Sequence, residues 1–143
     1  MRVVIVGCGR LGARLAAQLD EASNDVVIID RDSLAFRKLA SSYRGDTLIG
    51  TGIDEDVLRQ AGIEQADCFI AATEEDNRNI FAAQVAKMTF NVPKVFARIY
   101  DPIRAETYGH FGLDVICPTA TIATRVLDTL EKERPERAPE TEM

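Results

Sequence analysis

The segment Val3-Val4-Ile5-Val6-Gly7-Cys8-Gly9-Arg10-Leu11-Gly12 leaves this chain few folds to choose from. Four β-branched residues in a row suit a short strand buried on both faces, and the G-x-G-x-x-G pattern turns it sharply into a helix. A second apolar run, Val26-Val27-Ile28-Ile29, ends in Asp30, about twenty residues further on. Strand, glycine turn, helix, strand and acid make up a unit that binds a nucleotide. Gly7 permits the tight turn, Gly9 lets the backbone approach a pyrophosphate, and Gly12 lets the helix pack closely on the strand. The amides and positive dipole at the helix start hold the phosphates, and Asp30 is placed to accept hydrogen bonds from a ribose diol. The plainer alternative is a glycine turn kept only for packing, and Asp30 argues against it.

The rest of the chain repeats the alternation. Candidate strands are Arg2–Val6, Val26–Ile29, Thr47–Ile49, Cys68–Ala72, Val95–Ile99 and Val115–Cys117. Helical stretches fall near Leu11–Ala22, Ser33–Ser42, Glu55–Ala61, Asn77–Met88, Pro102–Phe111 and Thr121–Glu133. Continuous apolar strands separated by helices predict right-handed crossovers and an α/β fold: a Rossmann-like, doubly wound, six-stranded parallel sheet with helices on both faces. Asp32 or Ser33 is expected to cap the second helix and Asp54 the third, Gly62 to end the third, and Pro102 to open a later one. Residues 1–130 form one domain, since 143 residues leave no room for a nucleotide-binding domain plus a substrate domain. Residues 131–143 are charged, carry Pro135 and Pro139, and are expected to be a disordered tail.

Charge and composition exclude several functions. A net charge of −6 and a pI near 4.8, with 17 scattered Lys and Arg, argue against nucleic acid, which needs a concentrated basic face. No apolar run reaches the ~20 residues of a membrane span, and Val3–Val6 is a strand-length run rather than a secretory signal. The expected location is cytoplasmic. Cys8, Cys68 and Cys117 are odd in number and far apart, which suits buried thiols rather than a disulfide framework or a metal site. Cys8 alone lies near the expected phosphates, as filler or as a redox-sensing thiol. His110, the only histidine, falls on a late helix away from the nucleotide, and no nucleophile has a base beside it in a readable motif.

Ligands of such a sheet lie beyond the carboxyl ends of its strands. Asp30 there favours an unphosphorylated ribose, because a carboxylate repels a 2′-phosphate. Arg31 either stacks on an adenine or faces solvent. In Gly50-Thr51-Gly52-Ile53-Asp54 the small residues allow close approach of a base or ribose, and Asp54 either meets an adenine edge or caps the helix. Thr73 can donate to a phosphate or ribose oxygen, while Asp76 and Asn77 either cap a helix or touch ligand. Arg98 either neutralises phosphate or pairs with a carboxylate such as Asp101.

Further pieces carry a resemblance. They are Ile49-Gly50-Thr51-Gly52-Ile53-Asp54, Leu58-Arg59-Gln60-Ala61-Gly62-Ile63, Ala66-Asp67-Cys68-Phe69-Ile70-Ala71-Ala72-Thr73 with Asp76 and Asn79, Ala97-Arg98-Ile99, and Gly112-Leu113-Asp114-Val115-Ile116-Cys117-Pro118. With the glycine turn and Asp30, these make the chain, from Met1 to about Leu130, resemble the RCK N-terminal (TrkA-N, or KTN) domain. The resemblance implies a non-enzymatic regulatory subunit of a potassium uptake transporter or channel, binding NAD or NADH, or alternatively ATP or ADP, as a signal. It carries nucleotide contacts over to Gly7, Gly9, Arg10, Leu11, Asp30, Arg31, Thr51, Gly52, Thr73 and Arg98, with Gly12 completing the turn. It implies a membrane-embedded partner and a homodimer or larger homo-oligomer, paired through a late helix on which Ile122, Val126 and Leu130 recur with Ala123 and Leu127. Packing on the domain's own sheet would give the same stripe. The chain has Thr51 where members often carry an acid, and a charged tail where many continue into a small ligand-binding domain that another chain would then supply. The competing readings are a small NAD-dependent oxidoreductase, or a fragment of one, and the regulatory domain of a cation–proton antiporter.

Overall fold

A computed structural model of the chain describes residues 1–136. Six strands run β1 (Arg2–Val6), β2 (Asp25–Asp30), β3 (Asp46–Ile49), β4 (Cys68–Ala71), β5 (Lys94–Arg98) and β6 (Asp114–Ile116). All pair in parallel in the order β3-β2-β1-β4-β5-β6, the doubly wound sheet that the alternation predicts. The order reverses between β1 and β4, and the crevice beyond their carboxyl ends is where ligands of such sheets bind.

Alternating residues of each central strand feed opposite faces. Val4 and Val6 of β1 join Val27, Ile29, Phe69, Ala71, Val95 and Ala97 under Leu58, Ile63, Ile80 and Ala83. Val3 and Ile5 join Val26, Ile28 and Cys68 under Ala13, Ala16 and Ala35. The described residues form five α-helices, of which the first four lie against the sheet: α1 (Arg10–Glu21), α2 (Glu55–Gln60), α3 (Asp76–Gln84), α4 (Pro102–Gly109) and α5 (Pro118–Lys132). Helix α1 buries Gly12, Ala13 and Ala16, and that stripe of small residues brings its axis close to β1 and β2.

The local signals act as their chemistry requires. The Asp54 carboxylate accepts the Asp56 and Val57 amides and caps α2, so the cap is the reading made here. Gly62 stops α2 in the left-handed conformation at φ +79°. Asp101 caps α4, with Pro102 in its first turn.

One element differs in kind from expectation. Ser33–Ser42 is not an α-helix; a 3-10 helix spans Ser33–Lys38, capped by Asp32, and the chain then leaves helical geometry. Ala35 is its only buried residue, and a 3-10 helix advances about 2.0 Å per residue, so a few residues bridge β2 to the next turn. A second 3-10 turn, Ile63–Gln65, follows Gly62, and the last turn of the α3 stretch widens into a π-helix over Val85–Thr89. Helix α5 starts at Pro118 rather than Thr121 and contributes no buried residue, so its apolar stripe does not pack on the domain's own sheet. Of the expected tail 131–143, Glu131 and Lys132 belong to α5, and residues 137–143 lie outside the described residues.

Candidate functional site

A cleft of about 460 Å³ opens at the β1/β4 switch point, within the ~300–1,000 Å³ usual for small-ligand sites. The ends of β1, β2, β3 and β4 supply its walls. It brings together Gly7, Gly9, Asp30, Arg31, Thr51, Gly52 and Thr73 of the residues expected from sequence. Arg10, Leu11, Gly12 and Arg98 do not line it.

The glycine turn is built as its spacing requires. Gly7 adopts φ +103°, and a Cβ there would meet the Ala72 carbonyl and the Thr73 amide at 2.8 Å, so β4 closes directly onto the turn. A Cβ on Gly12 would stand 1.8 Å from the Gly7 carbonyl oxygen. On Gly9 it would meet nothing within 4 Å. Gly7 and Gly12 are therefore fixed by packing, whereas Gly9 is bare toward open space. Gly9 also supplies no side chain to cap α1, so the first-turn amides of Arg10, Leu11 and Gly12 are free of side-chain acceptors.

Asp30 ties the turn to its surroundings. Its Oδ2 accepts the Cys8 N–H at 2.8 Å, and its Oδ1 accepts the Asp32 N–H at 2.9 Å. Each oxygen keeps a second lone pair for a ligand hydroxyl. The Asp30 carbonyl meanwhile accepts the Gly50 N–H at 3.0 Å, which draws the β3 loop to the cleft. That loop's glycines also answer to packing, since a Cβ on Gly52 would strike Val6 at 2.7 Å and one on Gly50 would strike Val57 at 2.7 Å.

Cys8 is fully buried, and its thiol donates to the Ala35 carbonyl. Burial, with the Asp30 charge second, pushes its pKa above the ordinary 9.0. A thiol held protonated in this way is a poor nucleophile, which suits filler and disfavours a redox sensor.

The β4 wall departs from the sequence reading. The Thr73 hydroxyl lies 2.6 Å from Asn79 Oδ1 and 3.3 Å from the Glu75 carbonyl, so its proton is held within the chain and what it offers a ligand is an acceptor. Neither Asp76 nor Asn77 caps α3, whose N-cap is Glu75 without a side-chain bond. Asp76 instead accepts the Tyr100 and Asp101 amides, and Asn77 accepts from Arg104. Arg98 does not pair with Asp101. Its Nη2 donates to the Ala72 and Thr73 carbonyls at 3.1 and 2.9 Å, and the guanidinium lies 5.0 Å from the Tyr100 ring centre. Its buried Nε has no partner.

Sequence reasoning missed two cations, Lys38 and Arg78, that line the cleft from the 3-10 helix and from α3, and the acids Asp32 and Glu74 beside them. Which helical residue faces a crevice depends on how the helix crosses the sheet, and no local motif marks either cation. His110 lies at the far end of α4, outside the cleft. Among the described residues no group of side chains could hold a metal ion, and no helix is long and apolar enough to cross a membrane.

Comparison with known proteins places the cleft in a family. Residues 3–119 match the TrkA-N domain model. The Trk system potassium uptake protein TrkA of Streptomyces coelicolor is 46% identical over 130 residues, covering 91% of this chain and 58% of that protein. The chain thus spans little more than half of that relative's length. The TrkA-N domain of the inner membrane protein ybaL from Escherichia coli shares the fold at a TM-score of 0.79 and 19% identity, covering 90% of this chain and 96% of that one. The GsuK channel bound to NAD superposes with a TM-score of 0.73 at 25% identity, over 93% of this chain and 23% of that one. GsuK bound to ADP gives the same score and identity over 94% and 34%.

Proposed function

The chain belongs to the TrkA-N family, and from that premise we propose that it is a nucleotide-sensing regulatory domain of a potassium uptake transporter or channel. The observation that carries this reading is the meeting of Asp30 with a bare Gly9 at the switch-point cleft. The ligand is an adenine nucleotide, NAD or NADH in the first place and ATP or ADP otherwise, the two classes that GsuK carries.

In this reading the chain's own residues divide the work. The backbone of Gly7 and Gly9 and the first-turn amides of Arg10, Leu11 and Gly12 receive the phosphates, helped by the helix dipole. The spare lone pairs of Asp30 accept the ribose hydroxyls, and Arg31 stands beside them. Thr51 and Gly52 border the base or ribose from the β3 side. Thr73 accepts from a ligand donor, and Arg98 works from behind by holding the Ala72 and Thr73 carbonyls in place.

The nucleotide is a signal rather than a co-substrate. The cleft's one thiol is buried and held neutral, which suits a signal site rather than covalent chemistry. A ligand that favours one arrangement of a paired assembly shifts its population by the difference in affinity. The pairing surface is α5, whose Ile122, Val126, Leu127 and Leu130 are all more than half exposed. The domain acts as a peripheral cytoplasmic subunit on a membrane-embedded potassium transporter or channel.

Calorimetric titration of the nucleotide-stripped protein with NADH, NAD, ADP and ATP tests the reading, with mass followed by light scattering. Micromolar binding of one nucleotide over its pair member, by a dimer or larger, is expected. Absence of binding at millimolar ligand would overturn it.

A further inference from the structure

Of the spacing Thr73-x-x-Asp76-x-x-Asn79 only Thr73 lines the cleft; Asp76 and Asn79 have no ligand role in the description above, and Asn79 lies fully buried behind Thr73. The geometry of the motif is a clasp between two loops. Among the described residues Asn79 is the only polar residue that is fully buried, and its carboxamide is completely used. Its Oδ1 accepts the Thr73 N–H at 2.9 Å and the Thr73 hydroxyl at 2.6 Å. Its Nδ2 donates to the Thr73 carbonyl at 2.9 Å and to the Arg98 carbonyl at 2.7 Å. Arg98 returns the contact through its Nη2 to the Ala72 and Thr73 carbonyls. One turn earlier on the same helix, both carboxylate oxygens of Asp76 are taken by the Tyr100 and Asp101 amides, at 2.8 and 3.0 Å.

The residues that α3 holds in this way are the end of β4, which lines the cleft, and the loop that starts α4, which does not. Helix α4 needs such a tether. It buries no residue completely, its Ile103 is 78% exposed, and only Ala105 and Tyr108 pack partly against the core. Its first turn is therefore positioned by polar bonds: Asp76 on Tyr100 and Asp101, and Asn77 on Arg104 at 2.6 Å. A helix held at its start by hydrogen bonds rather than by buried apolar area belongs to the low-stability end of a fold, where movement is least costly.

We propose that Asp76 and Asn79 are positioning residues that transmit occupancy of the cleft to α4. Asn79 acts through Thr73 on the cleft side, and Asp76 acts through the Tyr100 and Asp101 amides on the other. This rests on the nucleotide reading and adds its output: the element that responds to the ligand is the start of α4, with its exposed Ile103. A ligand that fixes Thr73 fixes Asn79 and the Arg98 carbonyl with it, and α3 carries the restraint one turn back to Asp76. Both ends are backbone groups, so the coupling is read as amide protection.

The test is hydrogen–deuterium exchange of the full chain, without ligand and saturated with NADH or ADP, in wild type and in Asp76→Ala. Wild type is expected to show slower exchange at Tyr100, Asp101 and Ile103 on binding, by tenfold or more. Asp76→Ala is expected to bind the same nucleotide within twofold, protecting the Cys8 and Thr73 amides as wild type does, while protection at the α4 start disappears. A merely structural role for Asp76 would lower protection there with and without ligand and leave the ligand-dependent difference intact; that result overturns the proposal. Binding by wild type with no change at Tyr100–Ile103 overturns it as well. Should Asp76→Ala not fold, Asp76→Asn keeps one acceptor oxygen and must give an intermediate difference; an undiminished one refutes the clasp. No binding of any nucleotide by wild type removes the nucleotide reading itself and this inference with it, whereas binding without transmission removes this inference alone.

Discussion

Oδ2 of Asp30 accepts the backbone N–H of Cys8 at 2.8 Å, so the acid that ends β2 holds the glycine turn that follows β1. In the proposed reading the second strand thereby shapes the phosphate cradle as well as offering an acceptor to a ribose. Two consequences separate cleanly. A residue that lost only the ribose acceptor would weaken binding, whereas one that also lost the turn's anchor would weaken binding and loosen the turn before any ligand arrives.

Asp30→Ala is therefore expected to weaken nucleotide binding by about 1–3 kcal/mol, since the hydroxyls lose a charged acceptor and the Cys8 amide loses its partner. Asp30→Asn keeps one acceptor oxygen, and its effect should be smaller on thermal stability than on affinity. Calorimetry with NADH and a melting curve on both variants check this; affinity within twofold of wild type for Asp30→Ala would show that the ribose lies elsewhere.

The two flanking glycines should behave oppositely. A Cβ at position 9 meets nothing within 4 Å, so Gly9→Ala is expected to melt within a few degrees of wild type and yet lose nucleotide binding at least tenfold, because the methyl occupies the approach to the phosphates. A Cβ at position 12 falls 1.8 Å from the Gly7 carbonyl oxygen, so Gly12→Ala must separate α1 from β1. That costs on the order of 1–3 kcal/mol or more by overpacking and should lower the melting temperature clearly. If both variants melt alike and bind alike, the division between ligand-facing and packing glycines fails.

Much of this was legible in the sequence because its causes are local. Strand cores follow from runs of β-branched residues, and Asp54, Gly62 and Pro102 end or begin helices through bonds to residues a few positions away. Gly7, Asp30 and Thr73 meet because the crossover rule brings the carboxyl ends of parallel strands to one edge. What escaped is set by tertiary geometry. Ser33–Ser42 has enough helix-forming residues to read as a helix, yet the span from β2 draws Ser33–Lys38 into a 3-10 turn. The sequence position of Arg98 suggests a phosphate or Asp101 as its partner, but its acceptors are carbonyls 25 and 26 residues away, which no pattern along the chain announces. Thr73 reads along the chain as a donor, and the Asn79 side chain that takes its proton sits six residues on, within the same spaced motif.

Alkaline pH offers a test of the buried thiols. Burial raises the pKa of both Cys8 and Cys68 above the ordinary 9.0, so above that pH the unfolded chain gives up these protons while the folded chain keeps them. The folded state then binds more protons than the unfolded one, and stability falls as pH rises past about 9. Below pH 9 the contribution is fully present. Melting curves of wild type and Cys8→Ala between pH 7.5 and 10 should converge as pH increases, since the variant lacks one of the two thiols. Parallel curves across that range would mean that Cys8 titrates alike in both states.

The exposed face of α5 gives the remaining prediction. Val126, Leu127 and Leu130 are 51%, 65% and 61% exposed on a helix that buries none of its residues, and Ile122 extends the stripe one turn back. An isolated helix of this length is marginal in water, so a helix that buries no residue on its own domain is stabilised by burying its apolar face on something else. A second copy satisfies both helices at once, since a two-fold axis places the same stripe on each side. Val126 and Leu130 are more than half exposed, so replacing both by Asp should leave the domain's melting temperature nearly unchanged while the assembly falls to monomers in sedimentation velocity. Nucleotide affinity should survive in those monomers, because the cleft is lined by the ends of β1 to β4, the 3-10 helix and α3, without α5. A sedimentation profile unchanged by the double substitution would take α5 out of the assembly.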